Sequence, residues 1–490
     1  MGIVQKQAIK GTIINYIGVA VGFLTGALLQ PLILSTEEIG VISLLNRYAL
    51  ILAQIFSLGF PSLSLRIFPA LRDVSKKHNG YLFLGAIYLA VGFGAALLFY
   101  FLGYNWLIVS NQEKSELFSQ FVHLLPWLIF FNLLFSLCDT YIRMRFNAII
   151  GATAKEVVQR VLILSALLLL WYNAVQYTEF VYLYAIALSI PGLIMLVYAL
   201  RTPEFSIRSD WSFLQKFSLK NIANISLFGL LSSTTTILVV EVDTLMVNYF
   251  TGLSLLGVYA TMFNFGILVS VPSRALKRIS STMISDAWGK QDLKSISTIY
   301  YESCINQFVI GGLLFLGIWL NIDSVLMVLG DDYAPGKWVV FFIGLGYLFD
   351  MLSGDNTSIL ITSHLYRYNT YLTLLLVALL IVSNLLFIPV YGITGAAFSS
   401  AGSMLVVNLL RFLVLKVKFD FQPFNSRFLV VVLIFGITYL AVNYIPLYGN
   451  PYLNVLLRGS AIVIIYGGSI LLFRVSPLLN KLLKDLRSRK

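Results

Sequence analysis

Long apolar runs, separated by short polar connections, fill most of the chain. A run of about 20 apolar residues is long enough to cross a hydrocarbon core of about 30 Å as an α-helix. The pattern therefore predicts an all-α polytopic membrane protein with about fourteen transmembrane helices. These lie near residues 11–34, 39–65, 81–103, 119–142, 156–175, 179–200, 223–250, 255–277, 297–321, 338–363, 367–389, 392–415, 427–447 and 453–474.

The composition supports a lipid environment. Hydrophobic residues make up 58% of the chain and charged residues only 11%, with a mean hydropathy of +0.85. So few charges could not cover the surface of soluble domains. The net charge of +12 does not indicate a nucleic-acid partner, because the basic residues collect in connections on one side of the apolar runs. This positive-inside pattern predicts that both termini are cytoplasmic.

A weak internal repeat suggests how the spans are organised. The sequence TEEIGV at 36–41 resembles LSLLGV at 253–258, and their glycines, Gly40 and Gly257, are 217 residues apart. A displacement of six spans keeps the same orientation, which predicts two six-helix lobes in a parallel pseudo-repeat. The predicted parts are an N-terminal lobe (1–200), a cytoplasmic amphipathic linker (201–222), a C-terminal lobe (223–418), two additional transmembrane helices (419–474) and a basic cytoplasmic tail (475–490).

Residues for catalysis or metal binding are sparse. The three histidines fall in different segments, and the two cysteines have neither CxxC nor metal-ligand spacing. We therefore predict no catalytic residues, no metal and no cofactor. A membrane-embedded polysaccharide polymerase or ligase, the alternative from another class, would need a large outer loop with catalytic residues, and the connections are too short for one. Transport remains.

Charged residues within the apolar runs are the first candidates for function, because an ionisable group at bilayer depth is costly unless it is paired or hydrated. Arg47 in the second span and the pair Glu241 and Asp243 in the seventh share a similar depth. Residues two apart on a helix point in nearly opposite directions, so at most one of the acids faces a cavity squarely. We favour Asp243, with an attraction to Arg47 that acts as an outer gate.

The tenth span carries Asp350, Asp355 and Asn356. Two acids and an amide in one span suggest a pathway for a coupling cation. Equally, Gly354 could break the helix, in which case these polar groups would satisfy freed backbone atoms.

Three arginines lie near cytoplasmic span ends: Arg66, Arg143 and Arg274. Taken singly, each is readily explained as a snorkelling anchor. Together they could surround a cavity entrance with guanidinium groups, which pair bidentately with phosphate.

Several short motifs resemble the multidrug/oligosaccharidyl-lipid/polysaccharide (MOP) exporter superfamily, and within it the Wzx-type O-antigen and polysaccharide flippases. Besides TEEIGV, they are QPL at 30–32, LG at 58–59, RIFP at 66–69, VDTLM at 242–246, LGVY at 256–259 and NLLFIPVYGITGAA at 384–397.

This resemblance implies two helix bundles in a V around a central cavity. A polyprenyl-pyrophosphate-linked oligosaccharide, the repeat unit of O-antigen lipopolysaccharide, capsule or exopolysaccharide, would move by alternating access to the outer leaflet of the bacterial inner membrane. Arg47, Arg66 and Arg274 would meet the pyrophosphate, and Asp243 would bind H+ or Na+. Implied partners are membrane lipid and other polysaccharide-assembly proteins. The alternative within the superfamily is a multidrug or small-molecule cation antiporter.

Overall fold

The computed structural model describes residues 3–73, 75–112, 116–203 and 218–480, and the regular structure within them is helical throughout. Most of the predicted linker (204–217) and the end of the predicted tail (481–490) lie outside the described residues.

Contacts between helices group the chain into two compact units, Met1–Gly257 (the N-terminal unit) and Val258–Lys490 (the C-terminal unit). The seventh predicted span packs within the N-terminal unit, and the lobe bounds expected from the sequence, which place this span in the second lobe, stay a prediction. In chain order the helices are α1 Ile3–Phe23, α2 Gln30–Ile33, α3 Thr36–Phe56, α4 Phe60–Leu71, α5 Tyr81–Gln112, α6 Glu116–Phe121, α7 Leu125–Met144, α8 Ile149–Thr153, α9 Gln159–Trp171, α10 Tyr177–Leu200, α11 Leu219–Thr251, α12 Leu253–Ile267, α13 Val271–Gly289, α14 Leu293–Trp319, α15 Ile322–Leu329, α16 Lys337–Leu352, α17 Asn356–Thr362, α18 Tyr366–Phe419, α19 Ser426–Asn443, α20 Pro451–Ile462 and α21 Gly468–Leu472.

Twelve helical stretches in the described residues are long and apolar enough to cross a membrane. Within α18, which counts as one of the twelve, Gly392 has non-helical angles (φ 57°, ψ −138°), so its 54 residues form two helices across a kink. The predicted fifth span (156–175) is not among the twelve stretches. At its start, a π-helical turn, Ala154–Val158, joins α8 to α9. The count of fourteen spans stays a prediction, which the kink in α18 and the additional helix at the predicted fifth span both favour.

Polar connections set the helix ends. The Glu38 N–H donates to Ser35 Oγ (3.3 Å) while the Ser35 N–H donates to Glu38 Oε2 (2.8 Å), which forms a capping box at the start of α3. Before α14, the Ser295 hydroxyl and N–H both donate to Asp292, and these bonds hold the pKa of the Asp292 carboxyl below its usual range.

The predicted second span is two helices. After α3, Gly59 adopts φ +73°, a left-handed conformation that favours glycine, and the chain restarts as α4. Buried aromatic rings hold α4 in place: Phe68 packs edge-on against Tyr81, with ring centroids 4.9 Å apart, and against Tyr141 at 5.9 Å. The break redirects the chain just before Arg66.

The last two spans pack into the core of the C-terminal unit. Arg458 on α20 is buried and donates to two carbonyl oxygens, of Leu320 at the end of α14 (2.9 Å) and of Ile445 after α19 (2.6 Å). Farther along, the Tyr466 hydroxyl donates to the Val309 carbonyl within α14 (3.0 Å). These bonds satisfy backbone and side-chain groups that would be costly to leave unpaired in an apolar interior.

Candidate functional site

An ion pair joins α3 to α11 inside the N-terminal unit. Arg47 Nη1 donates to Glu241 Oε2, and the Glu241 side chain is only 7% exposed against 27% for Arg47. A charge buried this deeply is costly without such a partner. The pair therefore ties the two helices together at this level.

The acid in this ion pair differs from the one that the sequence favoured. The structure pairs Arg47 with Glu241, whereas Asp243 was expected to face it. Asp243 is buried as well and has polar or electrostatic partners of its own. Because the two acids are two residues apart, their side chains leave α11 in nearly opposite directions, and Glu241 reaches Arg47 on α3. The role of Asp243 as a coupling-ion site stays a prediction.

Uncharged polar contacts continue along α11. Gln54 Nε2 on α3 donates to Ser233 Oγ on α11 at 2.9 Å, and the hydroxyls of Tyr88 on α5 and Ser226 on α11 are 3.2 Å apart. Sequence reasoning missed these residues because it searched the apolar runs for charges only. Gln54, a polar residue within an apolar run, was the signal that could have identified this contact.

A pocket of about 530 Å³ opens between α4 and α11, within the N-terminal unit. It is lined by Ser62, Leu65, Arg66, Asn224, Ile225, Phe228, Gly229 and Ser232. The lining contains one guanidinium, one amide and two hydroxyls, but no carboxylate. Arg66 is exposed and forms no ion pair with any described residue. The pocket is thus equipped to receive an anion beside an apolar group.

The two copies of the repeat motif contact each other. A Cβ on Gly40 would clash with the Leu253 carbonyl, and a Cβ on Gly257 would clash with the Thr36 carbonyl. Beside them, Thr36 Oγ1 and Ser254 Oγ are 2.7 Å apart. In the repeat, Thr36 corresponds to Leu253 and Gly40 corresponds to Gly257. Each glycine therefore contacts the residue that starts the other copy, and such a reciprocal contact is what a local two-fold relation requires. The repeat stays a prediction that this contact favours.

This close approach predicts that Gly40→Ala destabilises the protein, because overpacking against a backbone carbonyl costs about 1–3 kcal/mol. A lower melting temperature in detergent, measured on the purified full chain, would reveal it. Gly94→Ala on α5 is the matched control, since a Cβ there meets nothing within 4 Å. Equal melting temperatures for the two variants would contradict the prediction.

The tenth predicted span is broken, as one of the two sequence interpretations required. Helix α16 ends at Leu352, Gly354 adopts φ +57°, and α17 begins at Asn356. Asn356 Nδ2 donates to Asn408 Oδ1 on α18 at 3.1 Å. This amide therefore fixes the restarted helix against α18.

The two acids near this break have different partners. Asp350 accepts a hydrogen bond from Lys277 Nζ on α13 at 2.6 Å. Asp355 is 1% exposed, and its Oδ1 accepts from Gln307 Nε2 on α14 at 3.4 Å. Lys277 ends the predicted eighth span (255–277), where the positive-inside pattern assigns it to the cytoplasmic face, so its pairing with Asp350 was not predicted.

The remaining arginines have different surroundings. Arg143 pairs with Asp139 one turn earlier on α7 (Nε to Oδ2, 2.9 Å) and does not line the pocket beside Arg66. Arg274 is exposed on α13 in the C-terminal unit. The ring of three guanidinium groups stays a prediction. In the described ranges, no group of three or more His, Cys, Asp or Glu side chains could hold a metal ion.

Solved structures with the same fold are membrane transporters. The lipid II flippase MurJ, in an inward closed conformation, aligns with a TM-score of 0.71 at 12% identity, over 95% of this chain and 99% of that chain. An inward-facing multidrug resistance MATE transporter of the MOP superfamily aligns with a TM-score of 0.61 at 15% identity, over 83% and 94% respectively. A MOP superfamily transporter from Pyrococcus furiosus gives 0.53 at 15% identity, over 85% and 96%.

No protein-family model and no curated protein matches the sequence. The similarity to MurJ extends over nearly the whole of both chains and shows a shared fold, while the Wzx-type assignment stays a prediction. The chain thus has the multi-pass helical fold shared by the MurJ flippase and the MATE transporters, the fold of the MOP superfamily.

Proposed function

We propose that the protein is a flippase that moves a polyprenyl-pyrophosphate-linked oligosaccharide from the cytoplasmic to the outer leaflet of the bacterial inner membrane. The observation that carries the proposal is the pocket at Arg66. Among the described residues, its lining combines hydroxyl and amide groups with a guanidinium that forms no ion pair, and it contains no carboxylate. A cation would find no counter-charge there, whereas a phosphate would find a bidentate donor. This lining favours an anionic substrate over the organic cations of a multidrug antiporter.

The pocket also suits the two-part nature of such a substrate. Its volume of about 530 Å³ lies within the range of about 300–1,000 Å³ that small-molecule sites occupy. Leu65 and Phe228 are 61% and 71% exposed beside the arginine and would contact the first isoprenoid units. Sugars cross hydrocarbon only when their hydroxyls keep hydrogen-bond partners, so the glycan would need the polar contacts that α3, α4 and α11 provide.

The experiment that tests this function is deletion of the gene in the native host, with complementation by the wild type and by Arg66 variants. Accumulation of lipid-linked oligosaccharide with loss of surface polysaccharide in the deletion strain would support the flippase. Unchanged glycan with altered sensitivity to cationic compounds would instead support an antiporter of the same fold.

For the pocket itself, we expect Arg66→Gln to lower the rate of glycan export roughly ten- to hundredfold. A hydrogen bond to a charged group contributes roughly 1.5–3 kcal/mol, which corresponds to that change in affinity. Arg66→Lys should recover part of the loss, because it keeps the charge without the planar fork. Arg201→Gln, at another exposed arginine, is the matched control. Normal export by Arg66→Gln would remove the pocket from the substrate path.

A further inference from the structure

The C-terminal unit contains two carboxylates but one nearby ammonium group at the break between α16 and α17. Lys277 Nζ binds Asp350 at 2.6 Å, and both side chains are 27% exposed. Lys277 is also close enough to Asp355 to attract it electrostatically. One ammonium group thus lies near both acids, while the guanidinium of Arg411 on α18 acts on Asp350.

Asp355 lacks the partners that a buried carboxylate needs. It occupies the N-cap position of α17, yet its side chain accepts no hydrogen bond from that helix. Within the described part of the chain, its Oδ2 has no hydrogen-bond partner, and neither has Oε1 of Gln307, the residue that contacts its other oxygen. Both residues are at most 1% exposed. Two buried acceptor atoms on contacting residues thus have no donor among the described residues.

We propose that Asp355 is a proton-binding site that carries one proton while Lys277 neutralises Asp350. An isolated buried carboxylate takes up a proton in preference to remaining charged, and the added O–H supplies the donor that this group of acceptors lacks. The inference rests on the proposed transport function for its role and deepens it by naming the proton as the coupling ion.

The nearby ammonium group argues against an alkali-metal cation. Lys277 attracts Asp355 and would repel a second cation at this position. Ser303 Oγ accepts from the Asp355 N–H (3.2 Å) and donates to the Tyr300 carbonyl (2.8 Å), and the Ser280 hydroxyl, which also faces Asp355, donates to the Leu276 carbonyl (2.9 Å). A proton bonds to Asp355 itself and needs no shell of oxygen ligands, so the site suits a proton better than a metal ion.

Titratable and charged groups surround Asp355 on three sides. Lys277 faces it from α13, Tyr300 and Cys304 from α14, and Asp350 from α16. On the far side of Asp350 lies Arg411 of α18, which donates to the Thr373 hydroxyl (3.3 Å).

Loss of the proton would turn Asp355 into a second anion competing with Asp350 for Lys277. Because Lys277 is on α13 and Asp350 on α16, a shift of the ammonium would move α13 against the broken helix. Proton binding is thereby converted into a change of helix contacts, which is the kind of two-state element that coupling requires.

Infrared difference spectroscopy on the purified full chain in lipid would test the site without any transport substrate. At neutral pH, the wild type should show the C=O stretching band of a protonated carboxylic acid, absent from Asp355→Asn and kept in Asp350→Asn. Lys277→Met should add a second such band, because Asp350 then loses its counter-ion. Melting temperatures and gel-filtration profiles identify any variant that fails to fold. Asp355→Asn and Asp350→Asn are matched variants, because each differs from the wild type by one isosteric change.

A wild type without the band, or a band that survives Asp355→Asn, would overturn the proposal. Loss of the wild-type band on adding NaCl, with KCl as the ionic-strength control, would also overturn it and indicate a sodium site. These readouts do not depend on which substrate is moved. Failure of the flippase assay with an intact Asp355 band would reject the proposed substrate alone.

Discussion

Reversing the charge of Arg47 alone, by Arg47→Glu, is expected to abolish transport, and adding Glu241→Arg is expected to restore it. Breaking a buried ion pair leaves one charge uncompensated and costs roughly 3–5 kcal/mol. In the single variant, two carboxylates would face each other between α3 and α11. The double variant rebuilds an attractive pair between the same helices.

Surface polysaccharide in the complemented deletion strain, normalised to the amount of protein in the membrane, measures the effect. Lys290 and Asp286 form a matched control pair at 2.6 Å, because their side chains are 69% and 66% exposed and their reversal should change little. A double variant as inactive as either single one, at equal membrane levels, would contradict a role for attraction between these charges.

A disulfide between Thr36→Cys and Ser254→Cys is expected to stop transport under oxidising conditions and to release it on reduction. The native hydroxyl oxygens are 2.7 Å apart, and a disulfide needs its sulfur atoms at about 2.05 Å, so little adjustment is required. The helix starts that carry these residues must separate if access alternates between the two faces of the membrane. A covalent link would hold them in the arrangement described here.

The two native cysteines, Cys138 and Cys304, are both buried, and replacing them by alanine gives a background in which only the engineered pair can react. Each single cysteine variant should transport normally with and without oxidant, and mobility on non-reducing gels reports the extent of cross-linking. Full transport by the completely oxidised double variant would show that these helix starts remain in contact throughout the cycle.

Hydropathy alone could predict most of the helices, because a backbone in lipid must satisfy its own hydrogen bonds and has few alternatives to a helix. The division of 367–389 from 392–415 coincides with the kink at Gly392. The break at Gly59 was not predicted, although Ser57, Gly59 and Pro61 were available as signals of a helix end and a new helix start.

Side-chain partners were harder to predict than depths. Counting residues along a helix gives the position of a charge along its axis, but the partner depends on how neighbouring helices are rotated against each other. The sequence therefore placed Arg47, Glu241 and Asp243 at a similar level without identifying Glu241 as the partner. Lys277 shows the same limit, because the positive-inside pattern assigned it to a membrane face while its ammonium turns toward Asp350.

The hydrogen bonds from Arg458 and Tyr466 to α14 also have a consequence for biosynthesis. The carbonyl groups of Leu320 and Val309 belong to a helix that is inserted well before the last span is translated. Until α20 and the helical turns after it arrive, those bonds cannot form and the core of the C-terminal unit stays incomplete. Since domains generally fold as units, the final packing step of this unit must follow translation of the last span.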